Sequence, residues 1–354
     1  MKNKFFTNEL VRFANIVLTP KFVGYTRMED LYVKTFDVVA LGELLIDFTE
    51  NATSAQGNPI YEANPGGAPC NVLSMLNKAG KRTAFIGKVG QDIFGKRLKA
   101  VLEETGIDTS NLITDADVRT TLAFVETFAD GDRDFSFYRN PGADMMLREE
   151  ELNEDLLKDT QIFHFGTLSM THEEVRKATK KAIRIAKESG ALISFDPNLR
   201  EPLWKSLDEA KEQVAYGLSQ CDILKISDNE IQWFTGEQDY DTGIRKLKSE
   251  YDIPLIMLSM GKEGSRAYYK DLRVEVAPFL QKNTIETTGA GDTFGGCCLY
   301  HVLKYGLENL DESKLKGMLT FANAAASIIT TRKGALRVMP EVAEVERLIA
   351  EAVK

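Results

Sequence analysis

Gln161-Ile162-Phe163-His164-Phe165, Ala191-Leu192-Ile193-Ser194-Phe195, Asp222-Ile223-Leu224-Lys225-Ile226 and Pro254-Leu255-Ile256-Met257-Leu258 are four short apolar runs. Runs of this length with little polar alternation read as strands buried on both faces. Between the first two, Val175, Ala178, Ala182, Ile185 and Ala186 recur at helical spacing. Helical patterns also separate the second run from the third and the third from the fourth. Strand, helix, strand, repeated in this way, implies a parallel sheet with helices on both faces. Ligands of such sheets bind beyond the carboxyl ends of the strands, so the informative residues should lie just after the apolar runs.

Toward the N-terminus, Phe36–Leu41 is a further buried run ending at Gly42. Residues 51–69 are rich in Gly, Pro, Asn and Ala and read as loop. Asn71–Ala79 reads as a helix stopped by Gly80, Thr83–Ile86 as a strand, and Asp92–Glu104 as a helix ending at Gly106. Over 120–138, Leu122, Phe124 and Phe128 mix with Thr and Val, and Asp130-Gly131-Asp132 makes a turn. Phe135, Phe137 and Tyr138 follow, which predicts a hairpin with one buried face. Long helices are predicted over about 291–305, 313–330 and 341–353. No internal repeat or low-complexity tract is present.

The chain has 354 residues, enough to bury a large core without staples. It is 43% hydrophobic and 27% charged, an ordinary globular balance. Forty-four Lys and Arg against 53 Asp and Glu give a net charge of −9, which argues against nucleic acid as the main partner. No apolar run is long enough to span a membrane. The four cysteines, Cys70, Cys221, Cys297 and Cys298, have no metal-ligand spacing and read as buried free thiols, which predicts a reducing, cytoplasmic compartment. The Asn51-Ala52-Thr53 sequon then carries no meaning. Residues 1–35 read as an N-terminal extension, a poor signal peptide because Arg12 and Asn15 interrupt it, and Met28 is a second possible start.

Two motifs carry chemistry. Thr287-Thr288-Gly289-Ala290-Gly291-Asp292-Thr293-Phe294 opens a long helix. Its small residues let the backbone approach an anion, and the N–H groups of Gly289, Ala290, Gly291 and Asp292 then point at it with the helix dipole behind them. Asp292, in the first turn, could take a hydroxyl proton. A simple helix cap would use the same residue types. Asn64-Pro65-Gly66-Gly67-Ala68-Pro69-Cys70-Asn71-Val72 also precedes a helix. Gly66 and Gly67 suit a backbone that touches a polyol, and Asn71 can donate and accept at once. A flexible loop before a helix remains the plainer reading of that stretch.

Together these motifs resemble the two signatures of the ribokinase (PfkB) family of sugar kinases, in order, over about residues 36–340. The resemblance implies a ribokinase-like three-layer α/β/α sandwich with a mostly parallel sheet and a small β lid, inserted from about 48–63 and 118–141 into a kinase domain spanning 36–354. It implies ATP and Mg2+ as cofactors and a small-molecule sugar as substrate. Asp292 would be the base and the Gly289–Asp292 backbone the anion hole. Asp47, in Gly42-Glu43-Leu44-Leu45-Ile46-Asp47, matches the family's sugar-hydroxyl ligand. Ser227-Asp228-Asn229-Glu230 fills the Asn-x-x-Glu slot: Glu230 would hold Mg2+ through water, and Ser227 would stand near the nucleotide. Ser259, Gly261 and Gly264 resemble the nucleotide loop, and Asn323 falls in the helix lining the adenine pocket of relatives. The lids of relatives often form a dimer interface, which makes a homodimer the expectation. Glu286 stands where many relatives carry an Asp that helps ligate a monovalent cation, which leaves potassium activation open.

For the acceptor, Asp196-Pro197-Asn198-Leu199-Arg200 and Phe137-Tyr138-Arg139-Asn140 resemble fructokinases and also 2-keto-3-deoxygluconate kinases, in which arginines grip a carboxylate. Phe137 lacks the hydroxyl of the Tyr frequent in the keto-acid kinases, which favours a neutral sugar, fructose. Arg139, Arg200 and the hairpin residue Phe124 are therefore expected around the sugar, although both arginines could instead make surface salt bridges. Ribose, a nucleoside, or a catalytically silent sugar sensor are further alternatives. A dinucleotide-dependent dehydrogenase is disfavoured, because no G-x-G-x-x-G follows the first strand. Gly90–Arg97 fails as a phosphate loop because Arg97 replaces the required Ser or Thr. His164, His172 and His301 share no ligand spacing and read as structural.

Overall fold

A computed structural model of the chain describes residues 34–127 and 133–352. The strands are β1 (Phe36–Leu41), β2 (Leu45–Thr53), β3 (Pro59–Gly66), β4 (Thr83–Gly90), β5 (Asp108–Asp115), β6 (Leu122–Thr127), β7 (Arg133–Tyr138), β8 (Thr160–Gly166), β9 (Leu192–Asp196), β10 (Ile223–Ser227), β11 (Leu255–Ser259), β12 (Ser265–Tyr269) and β13 (Leu272–Val276). The helices are α1 (Ala68–Lys78), α2 (Ile93–Glu104), α3 (Glu154–Lys158), α4 (Glu173–Glu188), α5 (Leu207–Gln220), α6 (Asp228–Thr235), α7 (Tyr240–Glu250), α8 (Ala290–Tyr305), α9 (Glu312–Ile329) and α10 (Val342–Ala352).

Nine strands form one sheet in the order β13-β12-β11-β10-β9-β8-β1-β4-β5. All neighbours are parallel except the β11-β12-β13 meander at one edge. Residues along β1 alternate between two cores. Val38 and Ala40 join Leu73, Leu76, Cys297 and Leu319 on one face, while Val39 and Leu41 join Ala182, Val214 and Ile231 on the other. The period-two alternation of a buried strand thus builds the three-layer α/β/α sandwich that the sequence pattern implies.

The second sheet has four strands in the order β3-β2-β6-β7. Here the composition misleads. Residues 51–69 are not a loop: β2 extends to Thr53, and β3 pairs with it antiparallel from Pro59 to Gly66. Cross-strand partners and an edge position override the poor strand propensity of Asn, Pro and Gly. β5, β12 and β13 also go unmarked by periodicity. The β6–β7 hairpin is present, in the register Leu122↔Tyr138, with its tip outside the described residues. The four cysteines are buried and free. No helix among the described residues is long and apolar enough to cross a membrane. The N-terminal extension lies almost wholly outside the described residues.

Candidate active site

Segments from across the chain converge beyond the carboxyl ends of the central strands: the turn after β1 with the start of β2, the start of α1, β7, the turn after β8, the loop after β9, β10 and the start of α8. They enclose a cavity of about 310 Å³ that Asp47, Asn71, Arg200, Lys225, Gly289, Gly291 and Asp292 help to line.

At α8, Gly289 is the residue before the first helical turn and takes φ of 75°. A Cβ there would lie 2.6 Å from Ala335 Cβ, so a side chain is excluded by space as well as by backbone conformation. Asp292 follows in the first turn and is 8% exposed. Its Oδ2 accepts the Asn71 amide N–H at 2.8 Å, and Asn198 Nδ2 lies 3.4 Å from Oδ1. Burial raises the Asp292 carboxyl above its ordinary range, opposed by the Asn71 hydrogen bond and by the charges of Lys225 and Arg200. A carboxylate that is partly desolvated, fixed by amides and flanked by cations is suited to accept a proton.

The start of α1 is set by Gly67 at φ 128°, where a Cβ would strike the Glu43 carbonyl oxygen. A Cβ on Gly66 would strike Asp47 Oδ2, so the small residue lets that carboxylate approach. Glu43 Oε1 accepts the Ala68 N–H at 2.7 Å and holds the turn in place. Burial pushes the Glu43 carboxyl up to about 7. Asn71 Oδ1 is buried and has no protein partner among the described residues, leaving an acceptor for a hydroxyl beside the Asp292 carboxylate. Asn198 takes φ of 43°, the left-handed region where a non-glycine residue is strained, and there its amide reaches Asp292.

A second cavity of about 290 Å³ abuts the first, with Thr287 and Gly291 in both walls. Ser259, Gly261, Gly264 and Asn323 line it together. The Asn323 amide donates to the carbonyls of Val276 and Ala277, bracing the chain that leaves β13. Two cavities thus meet at the N-terminus of α8, where the backbone N–H groups can hold an anion between them.

Residues 35–342 match the pfkB family carbohydrate kinase. The chain belongs to the pfkB family. A fructokinase-1 of Zea mays is 42% identical over 317 residues, covering 89% of this chain and 98% of the relative. A fructokinase-1 of Oryza sativa subsp. japonica is 40% identical over 317 residues, again 89% of this chain and 98% of the relative. Among solved structures, a fructokinase from Xylella fastidiosa with bound ATP superposes with a TM-score of 0.81 at 29% identity, covering 90% of this chain and 99% of that one. A fructokinase from Vibrio cholerae O395, bound to fructose, ADP and calcium, gives a TM-score of 0.81 at 29% identity over 89% and 99% of the two chains.

Within this pfkB kinase, five expected residues line neither cavity: Gly66, Phe124, Arg139, Ser227 and Glu230. Arg139 is a buried strut: Nε donates to Asp144 Oδ2 at 2.8 Å, Nη1 to Thr171 Oγ1 at 2.8 Å and Nη2 to the Leu168 carbonyl at 3.0 Å. Its guanidinium is consumed by the fold, whereas Arg200 lines the first cavity. Phe124 stacks on Phe48 at 4.9 Å, on the lid face opposite Asp47. The register explains this: Asp47 pairs with Ala123 and Ala123 with Phe137, so Phe137 shares the Asp47 face and lines the cavity. Ser227 does not line the nucleotide cavity but caps α6, its Oγ accepting the Glu230 N–H at 3.4 Å.

Glu230 stands behind the cavity wall. Its Oε1 accepts the Leu199 N–H at 2.8 Å, and its Oε2 accepts from Ser227 N at 2.9 Å and Oγ at 2.8 Å. Burial would raise this carboxyl, but Lys225 and these donors outweigh it and hold it below the ordinary range. An ionised carboxylate with remaining lone pairs fits a magnesium ion held through water. The described residues contain no group of three or more His, Cys, Asp or Glu that could hold a metal ion. Glu286 Oε1 accepts the Gly334 N–H at 2.7 Å. Of the histidines, His164 faces Ser194 Oγ at 2.9 Å and its ring is pushed down to about 3 by burial, and His301 faces the Cys297 carbonyl. Lys225, in the β10 run, is the lining residue that motif reading passes over, although a lysine inside an apolar strand is itself a signal.

Proposed function

We propose that this protein transfers the γ-phosphoryl group of ATP to the primary hydroxyl of D-fructose, giving fructose 6-phosphate. The carrying observation is the placement of Asp292, fixed by the Asn71 and Asn198 amides in the first turn of α8: it lines the first cavity, next to Gly291, which the first cavity shares with the second. Fructose lies beneath the lid, with Asp47 and the free Oδ1 of Asn71 on its hydroxyls. Asp292 accepts the hydroxyl proton as the oxygen attacks phosphorus. The N–H groups at the start of α8 take up charge on the transferring group, and ADP leaves into the second cavity. Magnesium would supply charge neutralisation across the outer phosphates, with Glu230 holding it through water. The lid excludes water from the reacting atoms.

Arg200 favours a second reading, 2-keto-3-deoxygluconate, since it places one cation in the acceptor cavity. Arg139 cannot join it, which leaves a weak clamp for a carboxylate and favours the neutral sugar. ADP release with Mg·ATP and fructose, 2-keto-3-deoxygluconate, ribose, adenosine or no acceptor tests the reading. Fructose is expected to give the highest kcat/KM; preference for the keto acid would overturn the acceptor, and ATP binding without turnover on any acceptor would favour a sensor. Buried free thiols fit a cytoplasmic enzyme, and the aromatic outer face of the lid fits a homodimer.

A further inference from the structure

Lys225 is the middle residue of β10, whose Ile223, Leu224 and Ile226 are fully buried, and it is itself 8% exposed. Its Nζ lies 3.0 Å from Asp196 Oδ2 and 3.3 Å from Oδ1. Among the described residues Asp196 is its only hydrogen-bond acceptor, so an ammonium with three donors keeps at least one for the cavity it lines. A Cβ built on Gly291 would come within 3.2 Å of Nζ, so the ammonium rests against the backbone that forms the anion hole. The glycine at 291 is what permits that approach. A buried ion pair is a poor device for stability alone, since apolar residues of similar volume serve as well or better. Here the pair sits where strand ends meet ligand, not in the packed core.

Resting on the kinase reading above, we propose that Lys225 is a further catalytic residue: its ammonium, anchored on Asp196, donates to the transferring phosphoryl group from beside Gly291 and completes the anion hole. In the transfer, the sugar oxygen forms a bond to the γ-phosphorus and the bond from phosphorus to the β–γ bridging oxygen breaks. The hydroxyl proton goes to Asp292 and the electron pair leaves with ADP. Negative charge spreads over the oxygens in between, and a fixed cation placed there needs no reorganisation as it develops. Burial would pull the ammonium down, but Asp196, Glu230 and Asp292 outweigh it and keep it charged.

Two variants and two readouts test the proposal. Lys225→Met removes the cation, and Lys225→Met with Asp196→Asn also removes the carboxylate that would otherwise be left unpaired. Each variant's melting curve establishes folding. With Mg·ATP and the acceptor the parent uses best, kcat is expected to fall about 10²–10³-fold in both variants, with either KM within about threefold. Affinity for Mg·ADP with aluminium fluoride and sugar should fall by a similar factor, while affinity for Mg·ADP alone is kept. A folded variant with kcat within about fivefold of the parent, an equal loss for ADP and the fluoride complex, or failure of both variants to fold would overturn the proposal and leave Lys225 as scaffold. A parent that phosphorylates no acceptor would instead overturn the kinase reading and this proposal with it; parent turnover with unaffected variants overturns the role of Lys225 alone.

Discussion

Asn71 and Asp292, 221 residues apart in the chain, meet through one hydrogen bond: Nδ2 of the amide donates to Oδ2 of the carboxylate at 2.8 Å. The bond joins the first turn of α1 to the first turn of α8. It ties the residue proposed to bind sugar to the residue proposed to remove its proton. It also fixes the amide, so that the remaining oxygen of Asn71 is the one presented to a hydroxyl.

Asp292→Asn is therefore expected to lower kcat by about 10³-fold or more while ATP affinity survives, because the amide keeps the volume and loses the basic oxygen. Near-normal turnover would refute the assignment. Asn71→Ala should raise the KM for fructose and lower kcat. It should also move the acidic limb of kcat/KM to higher pH, since the lost hydrogen bond is one that holds the raised Asp292 carboxyl down. The activity lost on acidification is that of the ionised base, so the parent limb should itself lie above the ordinary carboxylate range.

Arg139 and Arg200 separate by function. Arg139→Ala leaves Asp144 buried and unpaired, since the Arg139–Asp144 ion pair has side chains only 2% exposed on both partners. A loss of about 3–5 kcal/mol is expected in denaturant unfolding, with the KM of the folded fraction little changed. Arg200→Ala should do the reverse, moving the acceptor KM by more than its effect on unfolding. Equal KM effects in the two variants would contradict the placement of Arg139 as a strut.

Much of this arrangement is legible before folding is considered. Phe36–Leu41 and the strands from β8 to β11 show in their apolar runs to within about a residue, because strands buried on both faces cannot hide among polar neighbours. Asp292 is legible because helix start, small residues and acid coincide in one stretch. The lid is not. β3 is stabilised by pairing with β2, and its residues Pro59, Asn64, Pro65 and Gly66 carry no strand preference. Phe124 and Phe137 are both aromatic residues of one hairpin, and only the register with Asp47 decides which faces the sugar cavity. Arg139 and Arg200 look alike in sequence, and their division depends on Asp144, Thr171 and Leu168 arriving from elsewhere in the fold.

Glu43 gives a stability prediction whose sign follows from its surroundings. Its carboxyl is pushed up to about 7 by burial, so the folded state holds the proton more tightly than the unfolded chain. The contribution is fully present below the unfolded carboxyl range and is lost as pH rises to about 7. Glu43→Gln keeps an oxygen for the Ala68 N–H and has no charge to desolvate. Its unfolding free energy relative to the parent should rise between pH 5 and pH 8, by an amount on the order of 3 kcal/mol at most. A difference that stays flat across that range would show that Glu43 does not titrate with folding.

The outer face of the lid carries the last prediction. Phe48 and Phe124 stack, and Tyr61 and Tyr138 meet Phe124 edge-on, with ring centroids 5.5 and 5.4 Å from it. Tyr61 is 42% exposed and Tyr138 67% exposed, so an aromatic patch faces outward on a sheet whose other face covers the acceptor cavity. If two copies pair through this face, the parent protein sediments as a dimer. Tyr61→Glu with Tyr138→Glu, which places four like charges across the interface, should then sediment as a monomer with its melting temperature little changed. Because the same sheet carries Asp47 and Phe137 on its inner face, the monomer should also show a raised KM for fructose with ATP affinity preserved. A parent that sediments as a monomer would rule out the interface, and a dimer that survives both substitutions would place it elsewhere.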